Sequence, residues 1–277
     1  MTKRLLNIER SKKVPLTDLN THLQAAITTL DSVAGKLGTA EGRRLPVRSQ
    51  ELFNHAVGMK DSFSNAIQLL QVRLVARRIL DSLRTKMTEP SPVFSLYDVE
   101  VRFDLARIML FQNVVCSNWA LYDTIAGACG LVCMTDTLAK NPQRFPNLLD
   151  FGNNKAVGGH VHDHITAGFG WKMALCYEIR NWVVHAGEAQ SALKLFESPH
   201  PSTAGFKVAD DSWNSLVAES KKRFPNLPNP DPAELITMRA DAAATFLSAC
   251  EEMDRLSSFI VSWSIGSLRL QIELLCS

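Results

Sequence analysis

No stretch of this chain reaches about 18 consecutive apolar residues, the length that would mark a membrane-spanning helix. The opening "MTKRLLNIERSKKVPL" is charged with no apolar run behind it, so it does not read as a secretory signal. A Gly-rich phosphate loop, a serine-nucleophile elbow, kinase strings and a cysteine–histidine catalytic signature are all absent. There is no internal repeat and no strand–helix–strand alternation, which argues against a parallel sheet. The six cysteines form no CxxC pair; Cys129 and Cys133 stand four apart, a helical packing interval rather than a zinc or redox spacing. They are expected to be reduced, buried thiols.

What remains is a globular composition. Hydrophobic residues make up 46% of the 277 positions and charged residues 21%, far from the disordered class. A chain of this length can bury a full core without staples. The net charge of +2 is unevenly spread: residues 1–50 carry nine Lys/Arg against four acids, leaving the rest at −3. A basic N-terminal region can attract a phosphate-rich partner.

Helical periodicity dominates the pattern. Thr17 and Gly38 bracket a first helix. Ser49 opens a long second one, with Leu69, Val72, Ile79, Leu80 and Leu83 at helical spacing, ended by "EPSP" at 89–92. Ser95 and Asp98 resemble a capping box for a third helix running beyond residue 130, apolar enough to occupy the centre of a bundle. Residues 135–167 read as a long loop and 169–185 as a helix capped by Gly187. "ALKLFES" and "AGFKVADD" suit a small hairpin joined by "PHPST". "DSWNSLVAESKKRF" suits a short helix, and Asp231-Pro232 starts a terminal helix reaching residue 264 or beyond. The expected fold is mainly α, an antiparallel bundle with one elaborated loop region. Residues 1–90 would form a basic N-terminal helical region and 91–277 the bundle proper.

The stretch "EIRNWVVHAG" at 178–187 carries the candidate chemistry. On a helical wheel Glu178, Asn181 and His185 make a polar stripe, while Arg180 falls inside the apolar arc of Met173, Leu175, Cys176, Ile179, Val183 and Val184. A guanidinium cannot shed its charge, so Arg180 needs an acid, a solvent-reaching stem or an anionic ligand.

Arg180-Asn181-Trp182-Val183-Val184-His185 resembles the R-(polar)-x3-H signature of the HEPN (higher eukaryotes and prokaryotes nucleotide-binding) superfamily. The preceding "FQNVVCSNWALYDTIAGACGL" is similar to that family's long central helix. The resemblance covers roughly residues 95–187. It implies a metal-independent endoribonuclease without cofactor, in a bacterial cytoplasmic toxin–antitoxin or phage-defence setting, with RNA as substrate. It also implies a homodimer whose two motifs face one cleft, and an antitoxin or defence-system partner. RNA cleavage by the 2′-hydroxyl gives a 2′,3′-cyclic phosphate. Histidine titrates near neutrality and suits proton transfer, and arginine suits the phosphoryl charge. Arg180 and His185 are thus the expected catalytic pair. Asn181 would orient His185 or bond the phosphate, and Glu178 would tune the imidazole. Trp182 would stack on a base or pack in the core.

Arg73, Arg77 and Arg84 share one side of the second helix and form a candidate RNA-backbone grip, with a plain solvated face as the competing reading. The competing readings at the motif are a C-terminal histidine favouring the helix dipole and an internal ion pair for Arg180. A non-catalytic nucleotide- or protein-binding module is the alternative function. "HVHDH" at 160–164 is one residue short of the HxHxDH metal string, and that string belongs to folds rich in strands, so no metal site is assigned.

Overall fold

In the computed structural model, the structure describes residues 18–37, 47–86, 93–96, 99–133, 170–185, 207–225 and 227–276, with side chains at 18, 47–49, 79–108, 110, 131–133, 185, 243 and 274–276 excepted. Over these residues the protein is mainly α. Seven helices are present: α1 (Asp18–Leu37), α2 (Val47–Lys86), α3 (Phe103–Cys133), α4 (Trp171–His185), α5 (Asp210–Arg223), α6 (Pro232–Ala240) and α7 (Ala242–Cys276). A two-stranded antiparallel hairpin, β1 (Val93–Leu96) and β2 (Val99–Arg102), precedes α3.

α1 and α2 pair along matched seams. Leu19, Leu23, Ala26, Leu30, Val33 and Leu37 are buried on α1, and Leu52, Ala56, Met59, Phe63, Ala66 and Leu70 on α2. Both sets alternate intervals of four and three, so one stripe of each helix faces the other. Lys60 on α2 adds a 2.5 Å ion pair to Asp31 on α1, at the exposed edge.

α3 lies at the centre, as its apolar character predicts. Phe111, Val114, Val115, Trp119, Leu121, Tyr122, Ile125, Ala126, Ala128 and Cys129 are buried over about half of its circumference. It packs against α2, α7 and α4, while α7 also packs against α1 and α4. One continuous core therefore includes residues from both sides of position 90. No helix among the described residues is long and apolar enough to cross a membrane.

Three local expectations are corrected. Ser95 sits in β1 and pairs with Glu100, so it caps no helix; α3 starts at Phe103. The alternating β-branched run Val99-Glu100-Val101-Arg102 wins over the helical reading of that segment. Second, the terminal helix is two helices. Asp231 caps α6 as expected, its Oδ1 accepting from the Ala233 amide at 2.9 Å. Asp241 then leaves helical geometry (φ −143°, ψ 83°) and its carboxylate accepts from the Ala244 amide at 3.0 Å, capping α7. Third, the inward face of α2 near residue 70 runs through Leu70 and Arg73, leaving Val72 exposed. Most of the hairpin expected at 192–211 lies outside the described residues, and Asp210 already opens α5.

Candidate functional site

α4 is anchored at its start and presents the motif at its end. The Trp171 indole donates to the Pro228 carbonyl at 2.8 Å, and Lys172 stands 3.8 Å from Glu252 on α7. Met173, Ala174, Leu175, Cys176 and Ile179 then fill the core. His185 is the last helical residue; only its backbone is among the described residues.

Glu178 departs from the polar stripe drawn on the wheel. It is 2% exposed, whereas Val184 of the supposed apolar arc is 46% exposed. The cause is α5, which covers that side of α4. Arg223, the last residue of α5, donates from Nε to Glu178 Oε1 at 2.5 Å. Its guanidinium also lies 5.3 Å from the centre of the Tyr177 ring. Tyr177 in turn meets Phe224 and Trp119 edge-to-face, with centroids 5.8 and 5.0 Å apart. Glu178 and the Tyr177 ring, themselves packed by Phe224 and Trp119, hold the Arg223 side chain beside the motif.

Arg180 completes a chain of polar contacts. Its Nη1 donates to Asn181 Oδ1 at 3.0 Å, and Asn181 Nδ2 makes a long 3.4 Å bond to Glu178 Oε2. The order is Arg180, Asn181, Glu178, Arg223. Asn181 therefore orients Arg180, and both Glu178 oxygens are engaged. Among the described residues no acid pairs with Arg180. The side chain is partly exposed, and its charge reaches Cys116 on α3, where it partly offsets the upward push of burial on that thiol. Trp182 is partly buried and packs against the core.

Arg73 is not a solvated grip. It is 8% exposed and clasps Asp254 of α7 through Nη1–Oδ1 at 2.9 Å and Nη2–Oδ2 at 2.8 Å. Nη1 also donates to Asn118 Oδ1 at 2.6 Å and to the Tyr122 hydroxyl at 2.9 Å. That hydroxyl donates toward Asp254 Oδ1 at 2.7 Å and lies 2.9 Å from the Cys250 carbonyl. Burial alone would lower the Arg73 pKa, but Tyr122 and Asp254 more than offset it and hold the charge firmly. Arg77, one turn on, is partly exposed and joins Arg73, Val114, Cys250, Glu251 and Asp254 around a partly open cleft of about 300 Å³. The formal charges of that cleft balance, and Arg73 and Asp254 are committed to each other. The side chain of Arg84 and the whole of 160–164 lie outside the described residues. Among the described residues no group of three His, Cys, Asp or Glu is placed to hold a metal.

Local pattern reading missed Arg223 and Asp254. Arg223 left no signal beyond a basic last turn. Arg73 did leave one, since it continues the buried four-and-three ladder from Leu52 to Leu70 and so marks a cation in need of an internal acid. The fold and site thus define a mainly α bundle in which Arg223 bonds a buried carboxylate at one helix end and Arg180 is linked to it through Asn181. The chain matches no known family model, no curated protein and no solved structure.

Proposed function

We propose that this protein is a metal-independent, HEPN-like endoribonuclease acting as a homodimer. The observation that supports this reading is Arg180: a permanent cation near the end of α4, held by Asn181 and without an acid among the described residues. An anion supplied from outside gives such a group its missing counter-charge. In the proposed reaction the 2′-hydroxyl loses its proton to one His185 and attacks the adjacent phosphorus. The P–O5′ bond breaks, and the 5′-oxygen takes a proton from the second copy's His185. Arg180 stabilises charge on the non-bridging oxygens. Glu178, occupied by Arg223 and Asn181, serves as a positioning residue. A cytoplasmic toxin or phage-defence role, with an antitoxin or defence partner, belongs to the same reading.

The test is incubation of the purified chain with RNA in EDTA. Cleavage to 2′,3′-cyclic phosphate ends that disappears in His185→Ala supports the proposal. Equal cleavage by the variant, or none by the wild type, overturns it. Because both Glu178 oxygens are taken by Arg223 and Asn181, a non-catalytic binder is the second reading. Nucleotide-induced thermal stabilisation without cleavage would favour it.

A further inference from the structure

Arg223 belongs to α5, outside the motif, yet it shares Glu178 with Arg180's relay. We propose that Arg180 and Arg223 form one two-guanidinium grip for consecutive phosphates of a single RNA strand, with Glu178 as the buried anchor that aims both. This inference rests on the RNA reading above and adds a second contact residue to it.

The geometry carries the argument. The Glu178 side chain is 3% exposed while that of Arg223 is 45% exposed, so the carboxylate is hidden and the cation is offered to solvent. Only Nε of Arg223 is spent on Glu178. Among the described residues its two terminal nitrogens have no acceptor. The bond to Glu178 and the Tyr177 ring 5.3 Å away hold the Arg223 guanidinium before any ligand arrives, which lowers the ordering cost of binding. Two cations and one carboxylate in the Arg180–Asn181–Glu178–Arg223 chain leave a net positive charge, which a phosphodiester neutralises.

The experiment measures fluorescence anisotropy of a labelled 2′-O-methyl oligoribonucleotide, which lacks the attacking hydroxyl and cannot be cut. Arg223→Gln is expected to weaken binding about 10-fold or more, the scale of one charge-assisted contact. The salt slope should fall by about 0.7, one single-strand phosphate contact. Arg180→Gln should do the same. Lys222→Gln, at a neighbouring side chain 78% exposed, removes the same charge and should change affinity less than about 2-fold. If Arg223→Gln lowers the melting temperature, Arg223→Lys decides: it keeps a cation on Glu178 but lacks the fork, and should still bind more weakly than wild type. No binding by wild type at low salt overturns the proposal, as does equal weakening by Lys222→Gln or an unchanged affinity and slope in Arg223→Gln. The two readings fail separately. Arg223-dependent binding without cleavage sinks only the nuclease, whereas His185-dependent cleavage with Arg223-independent binding sinks only the grip.

Discussion

Arg73 on α2 and Asp254 on α7, 181 residues apart in sequence, meet through two parallel hydrogen bonds inside the bundle. Tyr122 and Asn118 of α3 close the same knot, so three helices share one buried charge pair. Removing one member leaves a buried charge without its partner. Asp254→Asn or Arg73→Ala should each cost about 3–5 kcal/mol, whereas replacing both by apolar residues of similar size should cost less than either alone. Urea unfolding checks this, as a fall in midpoint at constant slope.

Tyr122→Phe keeps the ring and removes only the hydroxyl. Asp254 Oδ1 loses its donor, the Cys250 carbonyl loses a polar neighbour, and Arg73 loses one acceptor. A loss of about 1–3 kcal/mol is expected in the same urea titration, and near-native stability would show that the hydroxyl is dispensable to the knot.

Burial pushes the Cys129 and Cys250 thiols up to about 12 and holds Cys176 well above its usual range. At pH 8 roughly one in ten thousand of the first two would be thiolate, so iodoacetamide should label all three slowly in the folded protein and quickly in urea. Peptide mass mapping over time reads the rates. Cys116, half-buried beside Arg180, should label faster than these three.

Burial lowers the His55 pKa below the ordinary 6.5, with Glu51 pulling weakly the other way. As pH falls, the unfolded chain takes up this proton before the folded one does. Stability should therefore decline from about pH 6.5 downward and level off below the folded value. His55→Gln should flatten that part of the melting temperature against pH, relative to wild type.

The sequence made the helices legible because their signals are local. The Asp231-Pro232 start and the four-and-three ladder of α1 need no distant partner to be recognised. The knot was hidden for the opposite reason. Arg73, Asn118, Tyr122 and Asp254 come from three separated helices, and nothing in the residues flanking Arg73 names Asp254. At the motif, Glu178, Asn181 and Arg180 were visible as a cluster, but their order of contact depends on α5. The burial of Glu178 goes with its bond to Arg223 of α5, which a wheel drawn for α4 alone cannot include.

The distance along the chain between Arg73 and Asp254 also sets an order of events during synthesis. When α1 and α2 have been made they can already zip along their shared seam, since everything that pairing needs lies within residues 18–86. Arg73 at that moment has neither its carboxylate nor the phenol and amide that hold it, and its section of α2 stays wet. Asn118 and Tyr122 arrive with α3, and only when the ribosome has delivered Asp254 does Arg73 gain the carboxylate that balances its charge, so the knot on the second helix closes last.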